Sequence, residues 1–190
     1  MKQVGSESTK ERILLAATAE FAARGLAGAR IDRIAAAAEA NKERIYAYFG
    51  NKERLFATVM REAAARSEDW LPASAENLPG KTGDLFDLAF RWPEVVRLLA
   101  WWHLEGDRVE LTAADTDPYR AKAETIRSAQ QAGAIDPYWD PSDLLAIVGA
   151  LALAWVDAPE PLIAIAESDG KPVRDRRAAI EEAIRRIVRP

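Results

Sequence analysis

Residues 41–52 of this chain read NKERIYAYFGNK and predict one short helix followed by the start of another. Asn41 is expected to cap the first helix by accepting a backbone N–H, and Gly50 is expected to end it. Ile45 and Phe49 lie four residues apart and form an inward apolar face. The other faces carry cations and tyrosines, which suits a helix that lies in a DNA groove.

Two helical patterns precede this helix. Ser8 and Glu11 have the spacing of a capping box and open a helix that runs from about residue 9 to residue 24. Gly25 follows it, where glycine can adopt the left-handed backbone that closes a helix. A second apolar stripe over residues 31–38 predicts a short helix, which leaves a turn of about three residues before the next one. Two short helices separated by such a turn predict a helix-turn-helix.

A pattern of apolar, glycine and aromatic positions runs without a gap over roughly residues 9–60. It consists of Ile13, Ala16, Ala17, Phe21, Gly25, Ile31, Ile34, Ala35, Ile45, Tyr46, Tyr48, Phe49, Asn51, Lys52, Glu53 and Leu55. This pattern resembles the TetR family of transcriptional regulators. The resemblance implies an all-α fold with a helix-turn-helix DNA-binding head, residues 1–52. A fourth helix then joins this head to a ligand-binding and dimerisation body, residues 53–190.

The resemblance also implies which residues contact DNA. The positions that match base-facing residues of the family are Lys42, Arg44, Tyr46 and Ala47. The positions that match backbone-contacting residues are Arg30, Tyr48 and Lys52, and Asn41 caps the helix that carries most of them. Positions 46 and 48 are about 200° apart on a helix, so at least one of these tyrosines is expected to be exposed. Arg44 is the best candidate for reading a guanine.

The chain departs from the family pattern at the start of the second helix and in the turn after it. Ala29 and Arg30 open the second helix, where the family usually has threonine or serine, and this weakens the expected cap. Glu39 occupies the turn position that is usually glycine. A left-handed backbone there would cost a non-glycine residue about 1 kcal/mol.

Charge is unevenly divided along the chain. Residues 1–55 carry ten Lys and Arg against seven Asp and Glu, whereas residues 56–190 carry 16 against 23. The overall net charge of −4 therefore conceals a basic head. Because electrostatic steering depends on the local patch, this division is compatible with DNA binding.

Composition restricts where the protein acts and which chemistry it performs. The chain has no cysteine, which excludes disulfides, thiolate metal sites and cysteine nucleophiles. Its longest apolar run, residues 144–156, is shorter than the about 20 residues that a membrane helix needs. We therefore expect a soluble, cytoplasmic protein with no cofactor, no metal and no membrane partner.

Beyond the head, the sequence predicts helices throughout the body. The fourth helix is expected from Lys52 towards Asp69 and joins head to body. Later helices are expected over residues 84–91, from Pro93 to Leu104, from Pro118 to Gln131 and from Pro141 to Val156. Residues 159–171 are expected to be partly helical, and a final helix is expected over residues 172–189.

The helix from Pro93 to Leu104 is apolar nearly all round and suggests a cavity wall. One interpretation is an aromatic-lined pocket for a mostly apolar effector, with His103 as its polar anchor. The predicted pocket residues are Phe86, Trp92, Leu99, Trp102, His103 and Trp139. The alternative is that the tryptophans only fill the core and that His103 bonds a carbonyl or water.

Two later helices carry apolar stripes that suit a four-helix dimer interface, which is also what the resemblance implies. The predicted interface residues are Ile147, Leu151, Trp155, Ile180, Ile184 and Ile187. The alternative is that both stripes face only the core of their own subunit.

Three functional classes fit these observations to different degrees. The favoured class is a homodimeric, ligand-responsive transcription regulator, a repressor released from a near-palindromic double-stranded DNA operator by a small molecule. A helical interaction or ligand-binding protein without DNA binding is the alternative. An enzyme that uses the aromatic cavity fits least, because the chain has one histidine and no glycine-rich phosphate loop or spaced metal ligands.

Overall fold

The structure is a computed structural model that describes residues 8–65 and 77–189, and within those ranges it is helical with no strand. The first four helices are α1 (Thr9–Gly28), α2 (Ile31–Ala37), α3 (Lys42–Phe49) and α4 (Lys52–Ala65). The next four are α5 (Leu78–Arg91), α6 (Pro93–Glu105), α7 (Ala113–Gln131) and α8 (Pro141–Leu153). The last two are α9 (Glu160–Ser168) and α10 (Arg177–Ile187), and short 3-10 turns cover Gly106–Arg108 and Val173–Arg176.

The chain divides into two compact units. Within the described residues, the first unit consists of residues 8–65 and 93–111, and the second consists of residues 77–92 and 112–189. The first unit therefore holds α6 as well as α1 to α4, whereas the sequence placed α6 in the body. Because the first unit holds the predicted helix-turn-helix, we call it the DNA-binding unit, and we call the other the second unit.

Aromatic rings join three helices in the core of the DNA-binding unit. Phe21 of α1 and Phe56 of α4 are both fully buried and meet edge to face, with ring centroids 5.0 Å apart. Trp102 of α6 also packs against Phe56, with ring centroids 5.7 Å apart. Such ring pairs add to the apolar burial. Ile34 of α2 and Ile45 of α3 are buried in the same core, which fixes the helix-turn-helix on this scaffold.

A kink at Gly25 sets the direction in which the chain leaves α1. Gly25 has φ 67° and ψ −178°, a conformation that is essentially restricted to glycine. Trp101 of α6 lies directly on this glycine, so that a Cβ built at position 25 would be 2.5 Å from Cε3 of the indole. Arg97 Nε and Trp101 Nε1 both donate to the Ala22 carbonyl, at 2.8 and 3.3 Å. The kink is thus held by hydrogen bonds and by close packing.

An ion cluster joins α5 to α10 in the second unit. Arg177 donates to Asp84 at 2.8 Å, to Glu181 at 2.7 Å and also to Asp87. The hydrogen bond to Asp84 is the largest of the interactions that raise the pKa of this guanidinium. Gly83 lies so close to the cluster that a Cβ there would overlap the Glu181 carboxylate. The last helix is therefore anchored by charge as well as by apolar packing.

Two body helices begin earlier than the sequence predicted. α5 starts at Leu78 because Pro79 occupies the first turn, where a missing N–H costs nothing. α7 starts at Ala113 because the Thr112 N–H donates to the Asp115 carboxylate at 2.8 Å, which forms a helix start before Pro118. The predicted continuation of α4 to Asp69 lies outside the described residues.

We predict that Gly25→Ala lowers the free energy of unfolding of the protein by about 2 to 4 kcal/mol, because it combines a glycine-only backbone with a clash against Trp101. Urea unfolding followed by circular dichroism measures this loss. The matched control is Gly133→Ala, which has a φ of 74° but no atom within 4 Å of the added Cβ. We expect that control to lose about 1 kcal/mol.

A double-mutant cycle separates the two contributions at Gly25. In a Trp101→Ala background the clash is gone, so Gly25→Ala should cost less than it does in the wild-type chain. An equal loss in both backgrounds would assign the whole effect to the backbone conformation.

Candidate DNA-binding site

The helix predicted to lie in a DNA groove is α3, which we call the recognition helix. It begins and ends at the residues that its sequence predicts. The Asn41 side chain accepts the Arg44 N–H at 2.8 Å, and Gly50 ends the helix with φ 82°. Asn51 repeats the cap for α4 by accepting the Arg54 N–H at 2.8 Å. These local hydrogen bonds confirm the predicted cap at Asn41 and the predicted end at Gly50, and they fix α3 over Lys42–Phe49.

The turn before α3 contains a strained residue. Glu39 has φ 49° and is the non-glycine residue with positive φ within residues 8–65 and 77–189. The Ala40 N–H donates to the Ala35 carbonyl at 2.9 Å, which closes the turn despite that conformation. The left-handed backbone expected at Glu39 is therefore present, at a cost of about 1 kcal/mol.

Burial divides α3 into an inner side and an outer side. Ile45 and Phe49 are buried, whereas positions 42, 43, 44, 46, 47 and 48 are all exposed. At about 100° per residue, Ala47 lies opposite the mean direction of the two buried residues. Glu43 and Arg44 lie on either side of Ala47, about 140° and 120° from that mean direction. We call Glu43, Arg44 and Ala47 the outer face of α3.

The flanks of α3 carry the remaining polar and aromatic residues. Tyr46 and Tyr48 are 47% and 49% exposed, so both rings are available to a ligand rather than only one. Helical geometry places them on opposite flanks of the outer face. A phenol hydroxyl on a flank of the helix can contact either a base edge or a phosphate at the border of the groove.

Lys42 is engaged by an acid of the neighbouring helix. Its ammonium forms an ion pair with Asp32 of α2, and this hydrogen bond raises the pKa of Lys42. The Asp32 side chain is 67% exposed and the Lys42 side chain 52%. An exposed pair of this kind adds little to stability. Its effect is to direct the ammonium towards α2 and to place a carboxylate on the DNA-binding surface.

Glu20 supplies the cap that the second helix lacks. Arg30, at the start of α2, provides no capping side chain, as the sequence predicted. The Glu20 carboxylate instead accepts the Arg30 N–H at 3.0 Å and the Arg33 Nε–H at 2.7 Å. Partial burial opposes ionisation of Glu20, but these hydrogen bonds lower its pKa overall. A residue 10 positions upstream thus orders the helix start.

Lys52 lies near the recognition helix and also forms a hydrogen bond within the DNA-binding unit. Its ammonium donates to the Ala29 carbonyl at 3.3 Å, which links the start of α4 to the junction between α1 and α2. Lys52 is half-buried, and it lies in the first turn of α4. An ammonium in that position can also neutralise a phosphate held at the helix N-terminus.

The residues predicted to line an effector pocket are divided between the two units. In the DNA-binding unit, Trp102 packs on Phe56, Leu99 is half-buried and His103 is exposed. In the second unit, Phe86 is fully buried and packs on Phe90, while Trp92 is half-buried. Trp139 of that unit donates its indole N–H to the Ile187 carbonyl at 3.0 Å. Trp102 and Trp139 thus have structural contacts, and the pocket stays a prediction.

The predicted dimer residues also fall into two groups. Ile180 and Ile184 are 5% and 0% exposed and belong to the core of their own subunit, which leaves them no surface for a second chain. Ile187, Ile147 and Leu151 are half-buried. Trp155 is half-buried and lies under the Arg176 guanidinium at 4.7 Å. The last helix therefore turns its strongest apolar stripe inward.

Sequence reasoning missed three acids in the DNA-binding unit. In the sequence, Asp32, Glu20 and Glu43 contributed only to the net charge of the head. The motif is defined by its apolar positions and its cations, so it assigned no role to these acids. The ion pair with Lys42 and the cap of α2 both connect separate helices. The position of Glu43, by contrast, follows from helical spacing once Ile45 and Phe49 are known to be buried.

Comparison with known proteins agrees with this geometry. Residues 13–59 match the model described as bacterial regulatory proteins, tetR family, and residues 77–186 match the model of a tetracyclin repressor-like C-terminal domain. The chain belongs to the TetR family.

Two proteins of Streptomyces coelicolor extend the TetR relationship over the whole chain. The HTH-type transcriptional repressor SCO4008 is 39% identical over 184 residues, which cover 96% of both chains. The crystal structure of a transcriptional regulator, SCO4942, has a TM-score of 0.80 at 39% identity and covers 96% of this chain and 100% of that one. NalD of Pseudomonas aeruginosa shares the fold, with a TM-score of 0.64 at 18% identity over 96% of each chain.

This TetR chain is a DNA-binding transcriptional regulator and not an enzyme. Proteins of the family bind operator DNA and act as dimers with small-molecule effectors. No described helix is both long and apolar enough to cross a membrane. Within the described ranges, no three His, Cys, Asp or Glu side chains cluster as metal ligands would.

We predict that Asp32→Asn strengthens binding to any duplex DNA, because it removes a carboxylate from the DNA-binding surface and frees the Lys42 ammonium for a phosphate. The slope of log affinity against log salt concentration should become steeper by up to about one unit. Fluorescence anisotropy over a salt series measures both quantities.

The control for this prediction is Asp169→Asn, which removes the same charge from an exposed position in the second unit. Its salt slope should stay at the wild-type value. If both variants change affinity equally, net charge rather than the freed Lys42 is responsible.

Proposed function

We propose that this protein represses transcription as a homodimer that binds a near-palindromic operator and releases it when a small molecule binds. The observation that carries the proposal is the exposed outer face of α3, mounted on a buried core by Ile45 and Phe49. Each recognition helix enters a major groove, and two helices are spaced about one or more turns apart, at about 34 to 36 Å per turn.

Arg44 is proposed to read a base. Its position on the outer face and its exposure support a guanidinium that reaches a guanine edge. Tyr46 and Ala47 belong to the same proposed base-reading surface. Lys42 is also proposed for that surface, and once it is released from Asp32 its ammonium can reach a phosphate as well. Arg30, Tyr48 and Lys52 are proposed to hold phosphates, which positions the helix without reading sequence.

We expect Arg44→Ala to weaken binding to the selected operator by about 5- to 150-fold while changing the affinity for random DNA much less. Lys52→Ala should weaken binding to both duplexes by similar factors and flatten the salt dependence. Competition binding on the two DNAs measures this difference. Equal losses in both variants on both duplexes would refute the division between base and phosphate contacts.

Because Lys52 also bonds the Ala29 carbonyl, its variant needs a structural control. Lys52→Arg keeps the charge and the donor, so it should restore most of the affinity for random DNA. If Lys52→Arg binds as poorly as Lys52→Ala, the loss comes from a changed helix junction.

The proposed dimer surface is the open side of α8. Ala146, Gly149, Ala150 and Leu153 lie on one face of that helix, opposite the buried Leu144 and Val148. A Cβ built at Gly149 would meet no atom within 4 Å. Small residues on a helix allow a second helix to approach closely, which favours packing against the same face of a second copy.

We expect Ala150→Glu to give monomers that bind a palindromic duplex much more weakly, because the change buries a charge at the proposed contact. Multi-angle light scattering measures the assembly state. The matched control is Ala121→Glu on α7, an exposed alanine of the second unit, which should remain dimeric. A dimeric Ala150→Glu protein would place the interface on another surface.

The effector is proposed to be mostly apolar, because aromatic side chains are frequent in the residues suggested for its pocket. Effector binding and DNA binding are then coupled through one protein conformation, with a typical factor of about 5- to 150-fold in affinity. Native mass spectrometry of the purified protein would reveal a molecule that remains bound, and that molecule can then be tested for operator release.

A further inference from the structure

The outer face of α3 carries an acid that the DNA-binding function does not yet explain. Glu43 is exposed and lies next to Ala47 and Arg44 on the side turned away from the buried Ile45 and Phe49. If α3 enters a major groove with its outer face first, the Glu43 carboxylate is directed at the base edges. The DNA partner that we infer for Glu43 therefore depends on the proposed function.

Among the described residues, Glu43 is held by no neighbouring side chain, and its charge acts only at longer range on the adjacent Lys42. Within residues 8–65 and 77–189 its carboxylate forms no hydrogen bond or ion pair. The adjacent cation Lys42 pairs with Asp32 of α2 instead. Intramolecular charge pairing consequently does not account for an acid at this position.

A carboxylate in a DNA groove is repelled by the phosphates on both sides. This repulsion weakens binding unless the carboxylate accepts a hydrogen bond from the DNA. In the major groove the available donors on base edges are the amino groups of cytosine and adenine. The amino group of adenine lies beside the N7 acceptor, which would repel the second carboxylate oxygen. The cytosine amino group has no acceptor beside it on its own base, so cytosine is the better partner.

We propose that Glu43 reads a cytosine in each operator half-site by accepting a hydrogen bond from its N4 amino group. Arg44, which lies on the other side of Ala47, is then free to read a guanine at a different base pair. Ala47 between them has only a methyl group, and this allows both longer side chains to approach the bases. Glu43 is thus a specificity-determining residue that lowers the affinity for all other sequences.

The test is a selection from randomised duplex DNA, with sequencing of the bound fraction, for the wild-type protein, Glu43→Ala, Glu43→Gln and Glu53→Ala. The wild-type protein should prefer cytosine at one position of each half-site by about fivefold or more. Glu43→Ala should lose the preference at that position alone and should bind random DNA more tightly. Glu43→Gln should shift the preference towards adenine, because a glutamine amide matches the N6 and N7 pair of that base.

Glu53→Ala is the control for charge. Glu53 lies in the first turn of α4, as Glu43 lies in the first turn of α3, so both variants remove one acid from the same part of a helix. Tighter binding of random DNA by Glu53→Ala would reflect charge only, and its selected sequence should equal that of the wild type. Thermal melts establish that all variants are folded.

A chemical probe tests the hydrogen bond itself. In the selected duplex, the critical cytosine is replaced by 2-pyrimidinone, which lacks the amino group but keeps the rest of the ring. The wild-type protein should lose about fivefold or more in affinity, and Glu43→Ala should lose nothing.

The outcomes separate this proposal from the proposed function. If the wild-type protein selects a palindromic motif that Glu43→Ala leaves unchanged, the operator function stands and the reading role of Glu43 is overturned. A lost preference for a base other than cytosine, or an equal loss of both proteins on 2-pyrimidinone, also overturns it. If the wild-type protein selects no motif, the proposed function fails and the role of Glu43 fails with it.

Discussion

The helix-turn-helix depends on the backbone of one glycine. Gly25 bends the chain out of α1 in a conformation that other residues do not adopt, and the Trp101 indole occupies the space that a Cβ would need. The Ala22 carbonyl just before the bend accepts hydrogen bonds from α6, and the Ala29 carbonyl just after it accepts one from Lys52. Because α2 starts two residues later, the direction of this bend determines where α2 and α3 lie. The first unit is therefore built around α6 as much as around the three helices that carry the motif.

Charge on the DNA-binding surface is balanced rather than uniformly positive. Glu20 and Arg33 are partners at the start of α2, Asp32 engages Lys42, and Glu43 stands unpaired among the described residues. Each acid reduces the attraction to an arbitrary stretch of phosphates, which is the source of non-specific binding. A surface of this kind depends more on correct base contacts than a uniformly basic one. The net positive charge of the first 55 residues still steers the unit towards DNA.

Local signals made the head predictable from sequence. The caps by Ser8, Asn41 and Asn51 involve atoms three residues apart, so the sequence carries the complete information for them. The start of α7 was predicted too late because Pro118 was taken as its first residue, although a cap at Thr112 precedes it. The start of α5 was predicted too late because Pro79, Gly80 and Gly83 were assigned to the loop before it, whereas all three lie in the helix. Contacts between residues far apart in the sequence were harder to predict. Ile180 and Ile184 form a stripe that suits either a core or an interface, and the packing within the second unit decides between them. Likewise, the apolar character of α6 suggested a cavity wall with burial nearly all round, whereas Leu104 is 72% exposed, and it did not identify Phe56 as a neighbour of Trp102.

The location of Trp102 has a spectroscopic consequence. Indole emission responds to the immediate surroundings of the ring, and this ring packs on Phe56 inside the DNA-binding unit, while Trp101 covers the bend at Gly25. Two of the fluorophores are thus part of the scaffold that carries the recognition helix. Trp139 and Trp155 lie in the second unit, where one bonds the Ile187 carbonyl and the other lies under Arg176. A change in total emission during a titration would therefore mix signals from both units, and single-tryptophan chains would be needed to assign it to either.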